Sequence, residues 1–257
     1  MLLAIDAGNT NIVFAVFDEN QNKVGSWRIH TNSARTAHEY MALLLPLMEC
    51  DGVADDKITD VIISSVVPAA NAALNSLCSK VFGAEAVFVN SDLLQKKIQI
   101  NLDVPSQAGA DRLVNAVAVS KHYQTPAVVV DFGTATNFDV VGADNSYEGG
   151  VISPGINLSI DALYKAAAKL PMVDVARPEK TIGKNTVEAM QSGIYWGYIG
   201  LIEGMLKRIE AELGVKPYVI ATGGLAPLFA DGTGVIDIID QDLTLKGLLE
   251  IYRARDL

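Results

Sequence analysis

The chain has 257 residues, 50% of them apolar and 19% charged. That is enough for one large or two modest domains with their own cores, and it excludes a disordered chain. Its 30 acidic and 20 basic residues leave a net charge of −10, which argues against nucleic acid or an acidic membrane as partner, because both require clustered Lys and Arg.

No apolar run approaches the roughly eighteen residues of a membrane-crossing helix. The opening Met1-Leu-Leu-Ala-Ile5 has no basic start and meets Asp6 at once, so it does not read as a secretion signal. Cys50 and Cys78 lack paired spacing and read as reduced thiols. A cytoplasmic location is the expectation.

Two apolar runs, Leu2 to Ile5 and Ile12 to Phe17, flank Asp6-Ala-Gly-Asn-Thr-Asn11. They read as two strands joined by a tight polar turn. Gly8 permits a close backbone approach, and the successive N–H groups of such a turn can cradle phosphate oxygens. Asp6 repels phosphate unless a divalent cation stands between, so it points to magnesium. The same residues also suit an ordinary hairpin turn.

Lys23 to Ile29 alternates like a third strand. Thr36 and Glu39 form a capping box for a helix through Met48. The strand Val61-Ile-Ile63 follows, and Pro68 opens another helix. Ser64 and Ser65 between them can line a cleft and are as often simple loop residues, so they receive no role. Val87 to Val89 is a short strand, with Ser91 or Asp92 capping the next turn of helix. Strands and helices in this order match one half of an actin-like fold.

Gly109-Ala-Asp-Arg112 opens an apolar, largely buried helix from Leu113. Asp111 at its start suits the helix dipole, which is a sufficient structural reason for it. Arg112 is harder to place without an anion, either a nearby carboxylate or a ligand held bidentately. The second half begins with this helix or just after it, near residues 124–126; the expected domains are 1–113 and 114–257.

Val128 to Val130 then runs into Asp131-Phe-Gly-Thr-Ala-Thr136 and a second strand through Val141, repeating the first acidic turn. Such recurrence implies two related halves. Glu148-Gly-Gly-Val-Ile-Ser-Pro-Gly155 suggests a close backbone approach and a tight turn. Residues 156–170 read as a helix. Asn185 or Thr186 caps a long helix to about Leu213. Pro217 to Ala221 is a strand ending in Thr222-Gly-Gly224, a frequent nucleotide lip and equally a plain strand-to-helix turn. Leu243 to Arg253 is a final helix. No histidine lies in a glycine-rich lip, and no Ser-His-Asp, thiolate or zinc spacing is present. Two phosphate-type turns and a separate carboxylate are the parts that phosphoryl transfer needs, with Asp111 suited to receive the proton of an attacking alcohol.

In order along nearly the whole chain, Asp6-Ala-Gly-Asn-Thr-Asn11, Gly109-Ala-Asp-Arg112, Asp131-Phe-Gly-Thr-Ala-Thr136, Gly149 to Gly155, Asn185-Thr186 and Thr222-Gly-Gly224 resemble the type III pantothenate kinases. The resemblance implies an actin-like ATPase (ribonuclease H-like) fold, with two similar α/β domains of mixed sheets around a central cleft. It implies a homodimer that phosphorylates pantothenate with ATP, the entry step to coenzyme A. Carried over by position, Asp6, Ala7, Gly8, Asn9, Thr10, Asn11, Ile12 and Val13 hold ATP phosphates, with Asp6 near Mg2+, and Thr134 also contacts ATP. Gly109, Ala110, Asp111 and Arg112 hold pantothenate; Asp111 accepts the proton and Arg112 takes the substrate carboxylate. Thr186 contacts the substrate. Asp131 binds a monovalent cation, K+ or NH4+. The chain departs from the family at Leu102, where Tyr is frequent, and at Asn137, where Thr is common. Two other readings stay open: another small-molecule kinase of this fold, although those usually carry inserted substrate domains, and a non-catalytic nucleotide-sensing relative.

Overall fold

The computed structural model describes residues 1–167 and 170–254. In chain order the first elements are β1 (Leu2–Ala7), β2 (Asn11–Phe17), β3 (Lys23–His30), α1 (Ala37–Cys50), β4 (Asp60–Ser65), α2 (Pro68–Leu77), β5 (Ala86–Phe88), α3 (Ser91–Gln95) and α4 (Ala110–His122). They are followed by β6 (Ala127–Phe132), β7 (Ala135–Val141), β8 (Tyr147–Pro154), α5 (Ile156–Ala166), α6 (Thr186–Leu213), β9 (Tyr218–Gly223), α7 (Ala226–Ala230), β10 (Ile238–Ile239) and α8 (Leu243–Arg253).

The chain forms two compact units: Met1–Tyr123 with the segment from Asp242 onward, and Gln124–Gln241. Within the first unit α4 and α8 pack on each other, α8 packs on β1 and β4, and α4 on β4.

Each unit holds a five-stranded mixed sheet, ordered β3-β2-β1-β4-β5 in the first and β8-β7-β6-β9-β10 in the second. In both, the first three strands are antiparallel neighbours and the last two lie parallel to the first. The likeness reaches single residues. A register shift falls between Val16 and Phe17 in one sheet and between Val140 and Val141 in the other. A glycine, Gly25 or Gly149, faces the residue before each shift. This repeated topology is the expected actin-like, ribonuclease H-like α/β architecture.

Strand periodicity divides the faces of the first sheet. Leu3 and Ile5 of β1 and Val61 and Ile63 of β4 join Tyr40, Leu44 and Met48 of α1 and Leu74 of α2 in one buried cluster. Ala4, Asp6, Ile62 and Ser64 therefore point the other way, toward the side that α4 and α8 cover. In the second unit Val128, Val130 and Phe132 join Ile160 of α5 and Tyr195, Tyr198 and Ile202 of α6, which leaves Val129 and Asp131 on the opposite face.

The Thr36–Glu39 capping box is present, with the Thr36 N–H donating to the Glu39 carboxylate at 2.7 Å. The α3 cap is Asn90, not Ser91 or Asp92; its side-chain oxygen accepts from the Leu93 N–H at 2.9 Å. Gly149 and Gly150 lie inside β8 and not in a turn, with φ +105° at Gly149 beside the bulge. Helix α5 stops at Ala166, short of the expected Leu170; residues 168 and 169 of that expectation lie outside the described residues.

Candidate active site

Asp6 stands next to last in β1, in register with Val13 on β2 and Ser64 on β4. Asp131 stands next to last in β6, in register with Asn137 on β7 and Thr222 on β9. Each acid is followed, two residues on, by a glycine that closes its turn: Gly8 N–H donates to Asn11 O and Gly133 N–H to Ala135 O, both at 3.0 Å.

The two turns are braced differently. The first is tied to Thr31, whose hydroxyl donates to Gly8 O at 2.6 Å and whose N–H donates to Thr10 O at 2.9 Å. That leaves Asn9 and Thr10 exposed and Gly8 and Asn11 half-buried. Ala7 and Ile12 are fully buried in the core cluster, so of the residues Asp6 to Val13 these two can offer a ligand only their backbone. The second turn is clamped by glycines. Gly155 N–H donates to Thr134 O at 3.1 Å, and a Cβ on Gly155 would lie 2.1 Å from that oxygen. Gly223 has φ +91° and would put a Cβ 2.6 Å from Phe132 O. Only glycine fits there, by space at the first and by both space and backbone conformation at the second.

Asp111 lies in the first turn of α4, on the first unit. It is half-buried, and its Oδ1 accepts from the Arg112 N–H at 2.8 Å. Burial pushes its carboxyl above the ordinary 3.8, against the lowering pull of the Arg112 N–H and guanidinium. A Cβ on Gly109 would come 2.5 Å from Asp111 Oδ1, so the glycine makes room for the carboxylate. Ala110 and Arg112 are half-buried beside it. Since α4 covers the face of the first sheet to which Asp6 and Ser64 point, the first unit gathers Asp6, Ser64 and the Asp111 helix on one side.

Thr186 is the exposed first residue of α6, just after its cap Asn185, whose Oδ1 accepts from the Glu188 N–H at 2.9 Å. It lines an apolar cavity of about 700 Å3 between α5 and α6, with Ile156, Leu163, Gly197 and Leu201. Leu102, half-buried, belongs to the segment leading to α4.

From sequence alone, Ser64 reads equally as a cleft-lining hydroxyl and as a plain loop residue. It is inside β4, fully buried, and its hydroxyl has no hydrogen-bond partner among the described residues. The signal available was the length of the apolar run before Pro68, which leaves room for the strand to continue.

A family model for type III pantothenate kinases matches residues 2–208. The type III pantothenate kinase of Paramagnetospirillum magneticum is 56% identical over 253 residues, covering 98% of this chain and 97% of the relative. That of Rhodospirillum rubrum is 53% identical, covering 98% of each. Among solved structures, the activator of the 2-hydroxyisocaproyl-CoA dehydratase from Clostridium difficile, determined with bound ADPNP, superposes with a TM-score of 0.57 at 13% identity, covering 99% of this chain and 97% of that one. A Baf family protein from Campylobacter jejuni reaches 0.63 at 18% identity, covering 99% and 98%. At such identities these two speak for the fold alone. The near-full-length identity to the pantothenate kinases goes further, and the chain belongs to the type III pantothenate kinase family.

Proposed function

We propose that this chain transfers the γ-phosphoryl group of ATP to the primary hydroxyl of pantothenate, with Asp111 as proton acceptor. The observation that carries the role of Asp111 is its position in the first turn of the buried helix α4, with a carboxyl raised by burial and a guanidinium next in sequence. A raised carboxyl is a better base near neutral pH than an exposed one. Arg112 offers a planar fork for the substrate carboxylate, and Gly109 keeps the carboxylate of Asp111 clear.

The turns at Asp6 and Asp131 hold the phosphates through backbone N–H groups and short side chains, Asn9 and Thr10 in the first and Thr134 in the second. The donor sets fit hard cations. Asp6 supplies carboxylate oxygen beside a buried, unpartnered hydroxyl, which suits Mg2+ with its remaining waters. Asp131 supplies carboxylate oxygen in register with Asn137, whose side-chain oxygen is buried without a hydrogen bond among the described residues, which suits K+ or NH4+. Bound there, such cations offset phosphate charge. Thr186 contacts pantothenate, and the open apolar face of α6 beside it takes a second copy of the chain, giving a homodimer. No helix among the described residues is long and apolar enough to cross a membrane, and the protein works in the cytoplasm.

The test is a coupled ATP-consumption assay with magnesium and potassium. Pantothenate should be consumed, and consumption of a sugar in its place would overturn the substrate. Asp111→Asn should lose roughly 10² or more of the rate, as for a missing general base; an unchanged rate would remove Asp111 from the role.

A further inference from the structure

The orphaned hydroxyl of Ser64 lies one strand over from Asp6. Paired residues of adjacent strands are about 4.8 Å apart in the hydrogen-bonding direction and project to the same face. The cluster membership of Ile5 and Ile63, paired one residue earlier, fixes that face: Asp6 and Ser64 both point away from the core cluster. A fully buried hydroxyl without a partner is uncommon, because its desolvation is not repaid by a bond. The strand register sets the Asp6 carboxylate beside it as a candidate acceptor. The second unit has the same arrangement, with Thr222, also buried, in register with Asp131. Each half therefore sets a hydroxyl beside its acid.

We propose that Ser64 is a positioning residue for Asp6. Its hydroxyl donates to the Asp6 carboxylate when a divalent cation and nucleotide are bound, and fixes the carboxylate orientation that holds the cation. Carboxylates that ligate metals are commonly oriented by such a hydrogen bond. The proposal rests on Asp6 being the divalent-cation residue.

The experiment follows binding and not turnover. Manganese is titrated into the protein in the presence of a non-hydrolysable ATP analogue, and bound ion is read by electron paramagnetic resonance. Ser64→Ala should weaken manganese binding roughly tenfold, while Ser64→Thr, which keeps the hydroxyl, should stay within about twofold of the parent. The melting temperature of ligand-free Ser64→Ala should be unchanged or higher, because no bond is lost. Unchanged manganese affinity in Ser64→Ala, or an equal loss in Ser64→Thr, overturns the role of Ser64. Asp6→Asn is measured alongside. If it weakens manganese and Ser64→Ala does not, only the inference about Ser64 fails. If Asp6→Asn leaves manganese binding intact, the assignment of Asp6 fails and takes the inference with it.

Discussion

Gly247 of α8 rests on the backbone of Val114 in α4, so close that a Cβ would lie 2.2 Å from the Val114 carbonyl oxygen and 2.7 Å from its Cγ1. The C-terminal helix thus returns to the first unit and seats the helix whose first turn carries Asp111. Thr244, one turn earlier, adds a hydrogen bond to the buried Asn115 side chain at 2.8 Å. Gly247→Ala should push the helices apart and destabilise the protein by about 1–3 kcal/mol, the usual cost of overpacking. Because α4 moves, turnover should fall although residue 247 is remote in sequence from every residue given a catalytic role. Thermal melting and the coupled assay check both; an unchanged melt would show that the crossing yields without strain.

The acidity of Asp111 makes a signed prediction. Its folded carboxyl titrates above the ordinary 3.8 because burial penalises the charge. A group raised in this way favours the fold below its unfolded value and loses that contribution as pH rises through the folded value. Asp111→Asn carries no charge at any pH. Its melting temperature relative to the parent should therefore rise with pH from about 4 upward and level off once the buried carboxyl is fully ionised. The variant would be more stable and less active at neutral pH. Melting curves across that range decide it, and a difference that shrinks with rising pH would contradict the burial argument.

How much of this was legible beforehand follows from what each residue type signals locally. Asp6, Gly8, Asp131 and Gly133 stood out because acid and glycine in a short turn between apolar runs are a local pattern. The bounds of α6 and α8 were readable from caps and periodicity, down to Leu213 and Arg253. The strand through Gly149 and Gly150 was not, since paired glycines read as a turn until the bulge opposite Val140 is known. Strand β10 has only two residues, too few for any period. The role of Gly155 and Gly223 in clamping the second turn depends on which backbone each meets, and that is a tertiary fact. Ser64 was missed for the same reason: its neighbour Asp6 is distant in sequence and adjacent only through the sheet.

The two turns should respond unequally to an added methyl group. Gly155→Ala forces a Cβ against Thr134 O at 2.1 Å and Gly133 O at 2.8 Å, backbone atoms that cannot swing aside. Gly8→Ala meets only Asn11 O, at 3.2 Å. Gly155→Ala should cost about 1–3 kcal/mol and Gly8→Ala at most the low end of that range. The apparent KM for ATP should rise in Gly155→Ala, where the turn at Thr134 is displaced. Nucleotide titrations with parallel melts would show this, and equal effects at both glycines would mean that the second turn is not clamped.

The open face of α6 gives the last expectation. Gly193 and Gly197 are exposed, and a Cβ at either meets nothing within 4 Å. A larger residue at 197 therefore has room within one chain, and replacing a mid-helix glycine favours the helix by up to about 1 kcal/mol. The same side chain would obstruct a second copy docked against this face and its apolar cavity. Gly197→Glu should consequently melt no lower than the parent per folded chain, and in sedimentation the parent should run as a dimer and the variant as a monomer. Thr186 lines that cavity, so the monomer should also show a raised KM for pantothenate with ATP binding intact. A dimer that survives Gly197→Glu would move the subunit contact to another face and separate Thr186 from it.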